Sequence, residues 1–184
     1  MQEPRFLDRT TPPKIVTLIL MAGLSALTMN IFLPSLPGMA VWYNVPYGVM
    51  QQSVALYLAL SAALQILIGP ISDRYGRRKV LLGALILFLL ATIGTLLAPT
   101  ATWFLIFRMA QAVIAAGMVL SRAVVRDMVA DERAASMIGY VTMGMSLVPM
   151  IGPVIGGVLD DLYGWKANFA LLLILGAATL ALVW

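Results

Sequence analysis

Of 184 residues, 61% are hydrophobic and 11% charged, against ~25% charged in an ordinary soluble domain. So little charge leaves too little polar surface to face water, and the composition indicates a membrane chain. With no cysteine and no histidine, a disulfide framework and a thiolate metal site are excluded, and so is the one side chain that titrates unperturbed near neutral pH.

Six apolar spans follow one another at 15–33, 50–71, 80–98, 103–123, 137–159 and 166–184. Each is near the ~20 residues a helix needs to cross ~30 Å of hydrocarbon. They are too long and continuous for barrel strands, so the expected fold is an all-α membrane domain. No linker or low-complexity stretch divides it. The expected organisation is a cytoplasmic segment at 1–14 and one membrane domain at 15–184. Arg5, Arg9 and Lys14 ahead of the first run could mimic a signal peptide, but the run is long for one and more spans follow.

Span one carries Ser25, Thr28 and Asn30, then Leu33-Pro34-Ser35-Leu36-Pro37. The prolines are expected to break the helix there and open a connection over 34–49. Asn30, an uncharged donor and acceptor at depth, suits a binding cavity. In span two Tyr57, Ser61 and Gln65 share one face by their i, i+4, i+8 spacing. That face is either a cavity wall or hydrogen-bonded packing between helices.

Span two ends in Gly69-Pro70-Ile71-Ser72-Asp73-Arg74-Tyr75-Gly76-Arg77-Arg78-Lys79, with five charges between Asp73 and Lys79. In span four, Arg108 lies about 7 Å inside the expected start, at 1.5 Å per residue, with Gln111 one turn on along the same face. A charge at such depth either snorkels to the surface or sits in a water-filled cavity, where it meets a carboxylate, an anion or backbone carbonyls. In span five Gly152 and Gly156 share a stripe with Gly144 and Val148, beside Pro149, Pro153 and Gly157. Glycines admit a close neighbour and prolines bend the helix, so this span reads as a hinge, a seal or plain close packing.

Ten basic residues (Arg5, Arg9, Lys14, Arg74, Arg77, Arg78, Lys79, Arg122, Arg126 and Arg133) fall on one side of the alternating spans, and Lys166 alone on the other. This bias places the N-terminus and the 72–79 turn in the cytoplasm. It also accounts for the net charge of +4 without nucleic acid as a partner. The turn at Asp73-Arg74-Tyr75-Gly76 is echoed at Asp161-Leu162-Tyr163-Gly164, each after a Gly-Pro near the end of its span. Copies on opposite faces fit two three-helix units of inverted topology. No Asp or Glu lies deep in a span, and no catalytic constellation is present, so an enzyme is not expected.

Together these motifs resemble the major facilitator superfamily. Gly69-x-x-x-Asp73-Arg74-x-Gly76-Arg77-Arg78 resembles its loop signature and Arg108-x-x-Gln111 its fourth-helix motif. Gly152-Pro153-x-x-Gly156-Gly157 resembles the fifth-helix motif of its drug:proton antiporters. Leu33-Pro34-x-x-Pro37, Arg126-Asp127, Pro149-x-x-x-Pro153 and Gly164-Trp165 are similar to the Bcr/CflA type, the bicyclomycin and chloramphenicol resistance transporters.

The resemblance implies half of a twelve-helix fold, six helices as two inverted repeats, with the C-terminal six-helix half absent from this chain. It implies proton-coupled drug efflux at a bacterial inner membrane, with the proton gradient as energy source and no cofactor. A metabolite importer and a truncated, non-transporting fragment are the alternatives. By position, Asn30, Tyr57 and Gln65 would face substrate, beside Ser61 and Gln111, and Arg108 would organise the cavity. Asp73 would contact a neighbouring helix end, and Arg77 would pair with a carboxylate such as Asp127 to latch the cytoplasmic side. The Gly152–Gly157 helix would limit leakage. Asn30 stands where the family often has an acid, so coupling would need another residue. Ala112 and Val148 stand where it usually has glycine, and looser contacts are expected at both.

Overall fold

The fold is given by a computed structural model that describes residues 15–128 and 131–183; the side chains of 15–16, 125–128, 131–138, 140–141, 144 and 145 lie outside the described residues. Among the described residues every regular element is helical: α1 Ile15–Asn30, α2 Leu36–Trp42, α3 Tyr47–Tyr75, α4 Arg77–Leu97, α5 Ala101–Ala110, α6 Ala115–Met128, α7 Asp131–Tyr163 and α8 Lys166–Val183. Short 3-10 turns at Leu33–Ser35 and Gln111–Ile114 join α1 to α2 and α5 to α6, so these eight helices make six passes. Five stretches are long and apolar enough to cross a membrane: Thr17–Trp42, Tyr47–Tyr75, Arg77–Leu97, Ala101–Val124 and Lys166–Val183. The sixth pass, α7, has 33 residues, at ~1.5 Å each ample to cross.

The helix breaks ahead of the prolines as expected: α1 ends at Asn30 and the chain restarts in short helical segments, with Pro34 and Pro37 each in a first turn, where a missing N–H leaves no bond unmade and the fixed φ is already helical. The first pass nevertheless continues to Trp42, so the connection expected at 34–49 is corrected to the corner at 43–46. Asn44 turns that corner with φ 52, a left-handed conformation asparagine tolerates.

The two Asp-x-Tyr-Gly turns close in one way. Gly76 has φ +90 and Gly164 has φ +80. The Gly76 N–H donates to the Ser72 carbonyl at 2.9 Å and the Gly164 N–H to the Asp160 carbonyl at 2.8 Å. A left-handed glycine after the last helical residue stops the helix at no steric cost and covers an otherwise orphaned carbonyl.

α1 packs between α7 and α6, α3 lies along α5 and α6, and α4 lies against α8 and α5. The buried residues of α3 are Met50, Ser53, Tyr57, Ser61, Ile68 and Ser72, one stripe at helical spacing and mostly polar. Its other faces are exposed and apolar, Ile66 at 78% among them, as a helix presents to lipid.

Where α1 meets α7, a Cβ on Gly156 would overlap the Ile31 carbonyl, and one on Gly152 would lie 3.2 Å from Leu27 Cδ1. At Val148 the same two helices stand further apart: a Cβ on Gly23 would fit at 3.7 Å from its Cγ2. Ala112 is fully buried.

Candidate functional site: a buried arginine between four helices

Arg108 lies about 10 Å along the helix that starts at Ala101, at 1.5 Å per residue, and is 0% exposed. Its Nη2 donates to the Thr28 carbonyl of α1 at 2.9 Å, and its Nη1 to Gln111 Oε1 at 2.9 Å. The guanidinium carbon lies 3.9 Å from the Tyr57 ring centroid of α3 and 4.3 Å from that of Phe32. Both distances are well inside cation–π range. Gln111 Nε2 donates to Thr92 Oγ1 of α4 at 2.8 Å, and Thr92 to the Phe88 carbonyl at 2.7 Å. One chain of bonds thus joins α1, α5 and α4, with α3 supplying a ring.

The local sequence explains why Thr28 is available. α1 ends at Asn30, and the last four carbonyls of a helix have no partner within it. Those carbonyls form the negative end of the helix dipole, where a cation is favoured. Arg108 is therefore a cap brought in from another helix. Beyond it, Phe32 stacks toward Phe169 at 5.8 Å, Phe169 meets Phe104 at 5.5 Å and Trp165 at 5.9 Å, and Trp165 meets Tyr43 at 5.7 Å. This aromatic plug fills the route by which Arg108 would snorkel. Arg108 meets a backbone carbonyl, one of its expected partners, together with an amide and two rings, in an enclosed site.

The other expected cavity residues divide. Tyr57, Arg108 and Gln111 are brought together. Ser61 is buried one turn beyond Tyr57, and Gln65 is half-buried a turn further on. Asn30 is half-buried, donates from Nδ2 to the Ala26 carbonyl at 2.9 Å, and has its Cβ beside Gly152. It therefore sits on the α7 side of α1.

At the other end of α3, Arg77 Nη2 lies 3.6 Å from Asp73 Oδ1 across the Gly76 turn. The expected partner Asp127 lies outside the described residues. Ser72 is buried and donates to the Gly69 carbonyl at 2.8 Å, and the Arg74 guanidinium lies 5.6 Å from the Tyr75 ring. Arg78 is exposed. In α7, Gly152 and Gly156 are buried against α1, Pro153 is half-buried, Pro149 exposed, and a Cβ on Gly157 would lie 3.9 Å from Pro34 Cβ.

Three contributors were not singled out by sequence. Phe32 and Thr92 are ordinary residues for their spans. Asn168, fully buried in α8, donates to Ser35 Oγ at 3.0 Å and to the Gly156 carbonyl at 3.2 Å; an amide near the start of an apolar span was the available signal. An open groove of about 710 Å³ at the α2–α3 corner is lined by Pro37, Val41, Asn44 and Tyr47 among others and includes none of the expected site residues.

Residues 18–184 match the Major Facilitator Superfamily profile. The chain is 36% identical to the chloramphenicol resistance protein of Pseudomonas aeruginosa, over 81% of this chain and 36% of that protein. It is 30% identical to multidrug resistance protein D of Escherichia coli (strain K12), over 89% of this chain and 42% of that protein. It is 32% identical to multidrug resistance protein MdtM of Salmonella typhimurium, over 90% and 40% respectively. The chain thus spans about two fifths of the length of these relatives. A crystal structure of a peptide transporter superposes with a TM-score of 0.76 at 17% identity, over 98% of this chain and 39% of that one, a likeness of fold alone.

Proposed function

The chain belongs to the Major Facilitator Superfamily, a family of multi-pass membrane transporters and not of enzymes, and on that premise we propose that it is the N-terminal six-helix part of a proton-driven exporter of small amphipathic drugs. The observation that carries this reading is Arg108, a charge kept wholly inside the bundle where four helices converge. An ionisable residue at membrane depth is costly, and its retention there marks a pathway or coupling site. The chloramphenicol and multidrug resistance relatives supply the substrate class.

In this reading the six passes are two inverted three-helix units. The matching glycine stops at Gly76 and Gly164 support it, as does the pairing of α1 with α7 and of α3 with α5 and α6. A second six-helix half, absent from these 184 residues, closes the cavity, and the two halves rock between inward- and outward-facing states. Asn30 and Gln65, which are half-buried, face that cavity, and Tyr57, Ser61, Gln111 and Arg108 form the packed wall behind them. Asp73 and Arg77, with Asp127, latch the cytoplasmic side. The α1–α7 glycine seam stays sealed throughout. The basic residues put the N-terminus in the cytoplasm of a bacterial inner membrane. Since Asn30 cannot titrate, the proton-binding carboxylate comes from the second half.

The test is expression of the full gene product in an efflux-deficient strain. Raised chloramphenicol resistance is expected, with energised vesicles losing drug export when a protonophore is added. Increased accumulation of the compound in cells would make the protein an uptake carrier. Residues 1–184 alone are expected to insert without conferring resistance, and resistance from them alone would remove the half-domain reading.

A further inference from the structure

Among the described residues no carboxylate contacts the Arg108 guanidinium. No Asp or Glu occurs between Asp8 and Asp73 or between Asp73 and Asp127, so the stretches of α1, α3, α4 and α5 around the guanidinium supply none. Its contacts are one carbonyl, one amide oxygen and two ring faces, all neutral. A buried cation without an anion is among the costliest groups a fold can hold. Its Nε, also buried, has no hydrogen-bond partner.

A second orphan lies beside it. Buried hydroxyls elsewhere in these helices, such as Ser25, Thr28, Thr92 and Ser121, donate to the carbonyl one turn back. The Ser61 hydroxyl, buried on α3, has no such bond and no partner. It lies one turn from Tyr57, whose ring underlies the guanidinium at 3.9 Å. The Tyr57 hydroxyl neighbours Ser61 without a hydrogen bond of good geometry between them. Two buried donors without partners, the Arg108 Nε–H and the Ser61 hydroxyl, therefore flank the Tyr57 side chain that underlies the charge.

We infer that Arg108, Ser61 and Tyr57 form a binding site for a small monovalent anion of chloride size. The Arg108 Nε–H and the two hydroxyls donate to it, and the guanidinium supplies the opposing charge. The enclosure by Phe32, Tyr57 and the aromatic plug selects for a small free ion over the carboxylate of a bulky amphiphile. The bound anion neutralises Arg108 in the state where no protein carboxylate faces it. The inference rests on the geometry around Arg108 and not on the identity of the exported compound.

The test is the thermal unfolding of the purified full-length protein, titrated with chloride against gluconate at constant ionic strength. A ligand that binds only the folded state raises the midpoint in a saturable manner. The wild type is expected to show this with chloride and nitrate and not with gluconate. Ser61→Ala and Tyr57→Phe should each weaken the apparent chloride affinity by roughly tenfold, as for a lost hydrogen bond to a charged partner. Arg108→Gln should abolish it; if that variant does not fold, the two conservative ones carry the test. Equal midpoints in chloride and gluconate would overturn the site, and so would a chloride effect unchanged in both Ser61→Ala and Tyr57→Phe. Chloride binding without drug resistance would leave the site and remove the efflux reading, and resistance without chloride binding would do the reverse.

Discussion

α1 is held on its two flanks by opposite means. Toward α7 it meets glycine: Gly156 lets backbone touch backbone at Ile31, and Gly152 admits Leu27. Toward α5 it meets the guanidinium of Arg108, which reaches the Thr28 carbonyl with its charge intact. The first contact fixes a distance and has no room for one more atom. The second is directional, and its hydrogen bonds can pass to another acceptor while the backbones stay in place. The proposed transport cycle would use both, the seam to stay closed and the joint to change partners. The two lie within one turn of each other, where α1 ends.

Substitutions can break the seam first. In Gly156→Val the new side chain overlaps the Ile31 carbonyl, a backbone atom that cannot rotate away. The cost should exceed the ~1–3 kcal/mol of ordinary overpacking, and detergent-solubilised protein should aggregate or elute without a folded peak. Gly157→Ala is the matched control, since its Cβ would find only Pro34 at an ordinary 3.9 Å. A folded Gly156→Val protein with an unchanged melting midpoint would show that the seam is not tight.

The joint should fail differently. Arg108→Ala is expected to abolish export while the protein reaches the membrane at normal levels, read by drug resistance against immunoblot of the membrane fraction. Full export would leave Arg108 as packing and end its role in the site. A weaker effect is expected at the far end of α3. Charge reversal Asp73→Arg should cripple transport, with partial recovery on adding Arg77→Asp. Stability should scarcely move, because an exposed i, i+4 pair contributes only ~0.2–1 kcal/mol and Asp73 is 68% exposed. No recovery in the double variant removes the ion-pair account of the latch.

Much of this was legible in the sequence because it depends on spacing along one helix. The six passes, the Gly152–Gly156 stripe, the polar face of α3 and the oddity of Arg108 all follow from 3.6-residue periodicity and the scarcity of charge. What was not legible depends on the facing helix. That Gly23 is the residue opposite Val148 could not be read from either span alone. Pro34 and Pro37 mark the end of α1, but each also opens a new helical turn, so the pass goes on to Trp42. The surroundings of Arg108 were open because they come from stretches far from it in sequence, Thr28 and Phe32 at the end of α1 and Thr92 on α4, and Phe32 and Thr92 carry no signature by themselves.

The smallest effect sharpens the comparison most. Thr92 touches the joint only through Gln111, by accepting from its Nε2 at 2.8 Å. Thr92→Val keeps the shape and removes that acceptor, leaving one Gln111 Nε2–H without its bond in a dry interior. Side-chain hydrogen bonds between membrane helices average about 0.6 kcal/mol, so the melting midpoint should fall only slightly. If Gln111 merely fills space, export should be as little affected as stability. If Gln111 orients the guanidinium, as its 2.9 Å bond to Arg108 implies, export should fall well beyond that small loss, while Thr92→Ser, which keeps the hydroxyl, restores it. Equal, minor losses in both variants would return Thr92 to the packing side of the comparison and confine the exchangeable joint to Thr28, Arg108 and Gln111.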